Sequence, residues 1–279
     1  MRFADLHMHT SFSDGTFSPE ELAARAREQG LHTVALTDHD TVEGCERMAT
    51  ACGELGMEFI NASEITTELD GHEIHLLGYF LDIQCSRLLE NLRRFQAVRQ
   101  NRIREMAAAL QREGIPLEAD TVFELAGCKA PGRPHVARAL VQAGHVKSMD
   151  VAFDRYLKKG RSAWVPKFRI GAPEAIELVH HAGGLAVMAH PGLNKTDSVI
   201  PKMIDAGLDG IECIHSRHSY SDVERYEALA EKHDLVVTGG SDCHGLNRGK
   251  PLIGSIKLPY GYVERMKERL AERGERVAA

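Results

Sequence analysis

With 279 residues, 43% of them hydrophobic, the chain can bury one barrel-sized core or two modest ones and needs no covalent staple. Its net charge of −6 excludes indiscriminate binding to long duplex nucleic acid, which takes a basic face, but leaves room for a local cationic pocket. The cysteines form no CxxC pair, several (Cys45, Cys52, Cys213) fall inside helical or strand-like runs, and Asp5 interrupts the start where a secretion signal would be apolar. The pattern predicts reduced thiols in a soluble cytoplasmic protein without membrane spans.

In chain order, a first short apolar run stops at His7-Met8-His9. Ser18-Pro19-Glu20-Glu21 opens the first helix, with Ser18 as N-cap, Pro19 in the first turn and Glu21 completing a capping box; Gly30 closes it. Residues 33–37 predict a strand ending at Asp38-His39-Asp40, and a helix is expected over 41–55, stopped by Gly56. One strand then runs to Glu64, and another, containing His75, covers 72–81. The pattern changes at 86–112, which reads as one long amphipathic helix with Leu88, Leu92, Phe95, Ile103, Met106 and Leu110 at near-helical spacing. Shorter helical pieces continue to about 159 without a convincing strand. After Pro173 the alternation resumes, with strands over 185–189 (ending at His190), 210–214 and 235–238 separated by helices. The expected class is α/β, a βα barrel built from residues 1–83 and 166–279, with 84–165 inserted as a small helical domain capping the active site.

A strand places residues i and i+2 on one face, so His7 and His9 can aim at one ion, and Asp242 and His244 stand in the same relation. In βα barrels catalytic groups gather at the carboxyl ends of strands, where His7, His9, His39, Glu64, His190, Asp242 and His244 all fall. Each has a bland alternative: the HxH pair as a core or surface pair, Glu64 as a solvated carboxylate, His75 as a buried hydrogen-bonded imidazole, His190 as a turn residue, and Asp38-His39-Asp40 as a cap for a helix starting near Thr41. Their coincidence at successive strand ends favours metal, and imidazole with carboxylate suits zinc, manganese or iron. Alternation turns Cys243 to the opposite face, where it packs.

The run Asp5-Leu6-His7-Met8-His9-Thr10-Ser11-Phe12-Ser13-Asp14-Gly15, with Thr37-Asp38-His39-Asp40, Glu64, His75, Ala189-His190-Pro191 and Gly240-Ser241-Asp242-Cys243-His244, resembles the four motifs of the polymerase and histidinol phosphatase (PHP) superfamily. The resemblance spans the chain. Gly132-Arg133-Pro134-His135 and Tyr156-Leu157-Lys158-Lys159-Gly160 place it nearest the stand-alone phosphoesterases with a helical insertion, which include nucleoside 3′,5′-bisphosphate phosphatases that also trim short RNA from its 5′ end. The resemblance implies a distorted (β/α)7-type barrel and a site of two or three divalent ions, Mn, Zn or Fe. One ion would be held by His7, His9, Glu64 and Asp242, a second by Glu64, His75 and His190, and a third by Asp14, His39 and His244. Carboxylates are expected to orient the imidazoles, Asp5 ahead of Asp38 and Asp40.

Closely spaced cations would make a bound hydroxide the nucleophile and clamp an in-line displacement; no GxSxG elbow or Walker loop offers a protein alternative. Arg133 precedes Pro134 at a helix start, where a guanidinium and free backbone N–H groups coincide. His135 and Arg161 are further substrate-binding candidates, Lys158 and Lys159 are read as solvated, and His218 is a candidate for phosphate contact or general acid. Trp164 reads first as a domain-interface residue and second as a base-stacking wall. The expected activity is phosphomonoester hydrolysis on small nucleotides such as 3′,5′-bisphosphates, with short 5′-phosphorylated oligoribonucleotides as a further class. The alternatives are a histidinol-phosphate phosphatase, an amidohydrolase-like C–N hydrolase, whose bridging lysine is here replaced by Glu64, and a non-catalytic structural module.

Overall fold

The computed structural model of the chain describes residues 1–166, 170–194 and 197–278. Strand β1 (Phe3–Asp5) is followed by α1 (Pro19–Glu28), whose start is set by local chemistry: the Ser18 hydroxyl accepts the Glu21 N–H at 3.2 Å and the Glu21 carboxylate accepts the Ser18 N–H at 2.8 Å. Next come β2 (Thr33–Leu36), α2 (Cys45–Glu54), β3 (Glu58–Leu69) and β4 (His72–Tyr79). The helical stretch holds α3 (Ser86–Arg112), α4 (Ala119–Ala126), α5 (Arg133–Gln142), α6 (Met149–Ala152) and a π-helical turn, Phe153–Leu157. The alternating pattern returns with β5 (Ile170–Gly171), α7 (Ala172–His181), β6 (Leu185–Met188), α8 (Pro191–Asn194), α9 (Ile200–Asp205), β7 (Gly210–His215), α10 (Tyr220–Lys232), β8 (Val236–Gly240), β9 (Leu258–Pro259) and α11 (Gly261–Ala278).

The strands form one sheet in the order β8-β7-β6-β4-β3-β2-β1-β9, with β5 beside β3. Its pairs are parallel from β1 through β2 to β3 and from β6 through β7 to β8, and β4 runs antiparallel between the two halves. The outer strands then meet: the Leu6 N–H donates to Gly239 O at 3.1 Å, Asp242 N–H to His7 O at 2.8 Å, and His9 N–H to Cys243 O at 2.9 Å. These bonds nearly close the sheet into a barrel. Gly240 permits that approach, because a Cβ there would lie 2.5 Å from His7 N.

Three expectations are corrected. Helix α2 begins at Cys45 rather than near Thr41, and Asp38 is no helix cap: its carboxylate accepts the Thr10 N–H and the Thr10 and Ser13 hydroxyls. Strand β3 runs past Glu64 to Leu69, because β4 returns along it through a tight turn in which Asp70 and Gly71 both take positive φ, 52° and 77°. The strand expected over 72–81 stops at Tyr79, with Phe80 at a φ of 58°.

Leu6, Ile60, Ala62, Leu77, Tyr79 and Val187 fill the barrel, and the buried Tyr79 hydroxyl donates to Leu6 O at 3.0 Å. The helical stretch has a separate cluster that includes Ile103, Met106, Leu110, Val136 and Leu140. Helix α3 joins the helical cluster to the packing outside the barrel. Its Leu88, Leu92 and Phe95 pack with the barrel's outer helices, while Ile103 to Leu110 join the helical cluster. All six cysteines are free thiols, and Cys243 is fully buried in one cluster with Met8 and Leu36.

Candidate metal centre

The site grows from the strand ends. Beyond β1 the chain stays extended, so Met8 turns into the core and His7 and His9 turn to the other side. Their Nε2 atoms lie 3.4 and 3.2 Å from Glu64 Oε2 and 3.5 and 3.4 Å from Asp242 Oδ1. His39 Nδ1 lies 3.0 Å from the same Glu64 oxygen, and the other Glu64 oxygen meets His75 Nδ1 at 2.6 Å and His190 Nε2 at 3.1 Å. Asp14 Oδ1 stands 3.2 Å from His244 Nε2 and 3.8 Å from His39 Nε2. All nine side chains singled out in the sequence as metal ligands therefore converge on one place. His190 and Asp242 reach it with positive φ, 28° and 54°, a strain typical of functional strand ends.

The donor set fits cations. Nε2 of His7, both ring nitrogens of His9, Nδ1 of His39 and of His190, and Oδ1 of Asp14 are buried without a hydrogen bond, which costs stability unless something else occupies their lone pairs. Burial alone would raise the carboxyl pKa values of Glu64, Asp14 and Asp242, yet the surrounding imidazoles hold all three well below the ordinary range. Conversely, burial disfavours charge on His9, and the Asp242 and Glu64 carboxylates still push its pKa up to about 10. These buried carboxylates and imidazoles, with donor atoms within 4.8 Å of one another in each group, are able to bind divalent metal.

Two members of the cluster were missed. Glu212 Oε1 accepts from His7 Nδ1 at 2.9 Å while Oε2 accepts the His190 N–H at 2.8 Å, and His215 Nε2 lies 3.6 Å from Asp242 Oδ2. Positions i and i+3 of a regular strand face opposite ways, so Glu212 and His215 do not read as a pair. The register of β7 against β8 shifts between Glu212 and Ile214, and this irregularity turns both inward. The available signal was an acid and an imidazole at the end of one buried strand.

Glu212 also displaces Asp5 as the carboxylate that orients an imidazole. Asp5 instead accepts the backbone N–H of Ser241 at 2.9 Å and of His7 at 3.4 Å, tying β1 to the end of β8, and burial raises its pKa to about 6. Asp40 is likewise engaged elsewhere, accepting the Thr66 N–H at 3.0 Å and the Arg99 Nε–H at 2.6 Å.

Above the cluster opens a cavity of about 370 Å³ lined by Asp14, His39, Glu64, His75, His190, Asp242 and His244, and also by Arg99, Arg102, Arg133, Arg217 and Phe153. Arg133 thus reaches the cavity. Arg99 and Arg102 on α3 were not anticipated, since a long amphipathic helix gives no sign of which basic residues will face a barrel mouth. His135 is buried beneath the α5 start, its Nδ1 accepting the Gly132 N–H at 3.0 Å, and burial lowers its pKa to about 4. Arg161 is exposed, and neither it nor Trp164 lines this cavity. His218 also stands outside its lining: Nδ1 bonds to Cys213 O at 2.8 Å and Nε2 accepts the Gly192 N–H at 3.3 Å.

Comparison with known proteins places these features in context. The family model described as PHP domain matches residues 5–158. A 5′-3′ exoribonuclease of Haemophilus influenzae is 38% identical over 86% of this chain and 89% of its own length. A 3′,5′-nucleoside bisphosphate phosphatase of Chromobacterium violaceum is 33% identical over 90% of each chain. Among solved structures, a provisionally assigned metal-dependent phosphoesterase from Bifidobacterium adolescentis superposes with a TM-score of 0.89 over 96% of each chain, at 33% identity.

Proposed function

Because the chain belongs to the PHP domain family, we propose that it is a metal-dependent phosphoesterase that hydrolyses phosphomonoesters of small nucleotides, 3′,5′-nucleoside bisphosphates first and short 5′-phosphorylated RNA second. One observation carries this reading: the Glu64 carboxylate lies within 3.4 Å of five imidazoles at the base of a cavity to which Arg99, Arg102, Arg133 and Arg217 contribute. Cation ligands beneath guanidinium groups suit a phosphate bridged between metal and arginine.

His7, His9, Glu64 and Asp242 would hold one ion, Glu64, His75 and His190 a second, and Asp14, His39 and His244 a third, with Mn, Zn and Fe all compatible with the N/O set. When bound, such ions lower the pKa of a coordinated water, polarise the phosphoryl oxygens and stabilise the leaving oxygen. The chain's own groups do the rest. Glu212 accepts the hydrogen bond of His7 Nδ1–H and so favours the tautomer whose Nε2 lone pair faces Glu64 and Asp242. His244 Nδ1 bonds to Asp242 O at 2.9 Å, which leaves its Nε2 toward Asp14. Arg99, held rigid by Asp40, and Arg133, at the start of α5, present charge to a phosphate. His218 stands outside the cavity lining with both ring nitrogens engaged by backbone groups.

Residues 84–165 then act as an inserted domain over a barrel of 1–83 and 166–279. No helix among the described residues is long and apolar enough to cross a membrane, and a cytoplasmic location accords with a nucleotide substrate. The test is phosphate release by metal-reconstituted protein from adenosine 3′,5′-bisphosphate, AMP, histidinol phosphate and a short 5′-phosphorylated RNA. Preferential release of the 3′-phosphate from the bisphosphate is expected; activity confined to histidinol phosphate, or none on any of the four with metal bound, would overturn the assignment.

A further inference from the structure

Next to the metal cavity lies a smaller one of about 160 Å³ that shares Asp14, Pro134, Phe153 and His244 with it and is completed by Met149, Asp150 and Asn247. At about 160 Å³ this side space is less than half the size of the metal cavity, which suits one part of a ligand whose remainder lies over the metal ligands. Its walls divide by chemistry. Phe153, Met149 and Pro134 supply apolar surface. Asp150 and Asn247 supply polar groups, and the Asn247 side-chain amide donates to Asp14 O, which leaves its Oδ1 as an acceptor.

Phe153 is the aromatic residue common to both spaces. It opens the π-helical turn Phe153–Leu157, and its carbonyl accepts the Lys158 N–H at 2.9 Å. Such turns recur at functional sites because the extra residue re-aims a side chain. Here the ring is only partly buried, packed on the helical cluster on one side and bordering both cavities. We propose that this side pocket receives the nucleobase of the substrate, with the Phe153 ring as its stacking surface and Asp150 and Asn247 as acceptors for an exocyclic amino group. The inference rests on the phosphoesterase reading above and extends it, since a phosphate over the metal ligands and a base against Phe153 are joined by one ribose. Trp164, read first as a domain-interface residue and second as a stacking wall, lines neither cavity.

The experiment uses metal-loaded full-length protein and 2-aminopurine riboside 5′-monophosphate, whose fluorescence is quenched on stacking, with ribose 5-phosphate as a base-free competitor. Phe153→Tyr keeps an aromatic face, and Phe153→Leu keeps the apolar packing on the helical cluster but removes the face. Wild type and Phe153→Tyr are expected to quench the probe and bind it alike. Phe153→Leu should lose the quenching and bind about tenfold more weakly, while ribose 5-phosphate affinity stays the same in all three. Quenching that survives in Phe153→Leu, or equal weakening of the base-free ligand, overturns the pocket assignment. So does failure of wild-type protein to quench the probe. Phosphate release from adenosine 3′,5′-bisphosphate by the same preparations separates the two readings: hydrolysis that persists without Phe153-dependent quenching removes the pocket and leaves the phosphoesterase standing.

Discussion

The barrel mouth and the helical segment above it are built for opposite charges. Strand ends contribute imidazoles and carboxylates, deeply buried and held by backbone bonds and by Glu212, and they gather positive charge. The helical segment contributes Arg99, Arg102 and Arg133 and the partly buried Phe153, and these suit an anion and a ring. The two parts also differ in how they are held together. The barrel side is fixed by a sheet whose outer strands bond to each other, whereas the helical segment has its own core and is joined to the barrel through α3. Chemistry common to a phosphoesterase family can thus reside in the first region, and choice of substrate in the second.

The sharpest way to break this division is at its centre. Glu64→Gln should lower kcat/KM by roughly 10⁴, about 5 kcal/mol of transition-state stabilisation, with loss of bound metal by elemental analysis and a retained circular dichroism spectrum. Full activity in that variant would remove Glu64 from the chemistry. Next in size is the joint between the regions. Arg99→Met leaves the buried Asp40 carboxylate without its cation, and thermal or denaturant unfolding should show a loss of about 3 kcal/mol. The double variant Asp40→Asn/Arg99→Met should recover part of it, because no charge is then stranded. Glu212→Gln should weaken metal binding by about 10- to 100-fold in a chelator competition, with little change in fold, since it acts by orienting His7. Smallest is Arg161→Ala: exposed and outside the cavity, it should leave kcat/KM within about twofold, and a large loss would return Arg161 to the substrate site.

What could be read in advance depended on how local the cause was. The α1 capping box involves atoms three residues apart, and it appeared where expected. The bounds of α3 were legible because its apolar spacing persists over 27 residues. The pairs His7/His9 and Asp242/His244 were legible because strand alternation is a property of the backbone itself, and Asp14 and His75 came from the family resemblance rather than spacing. Glu212 and His215 were hidden by the irregularity of β7 against β8, which changes the faces that counting assigns. Asp5 was misassigned because facing the right side does not reveal that its carboxylate is consumed by the backbone of Ser241.

By itself the sequence determined the alternation of strands and helices, the interruption by a helical segment, and the residue types that meet at the strand ends, since each follows from local backbone geometry and hydrophobic period. Only the tertiary structure decided which arginines overlook those ends, that Phe153 rather than Trp164 borders the cavity, and that Glu212 orients His7. Those outcomes depend on where α3, α5 and the turn after α6 come to rest against the barrel, and that placement is set by packing between residues far apart in the chain.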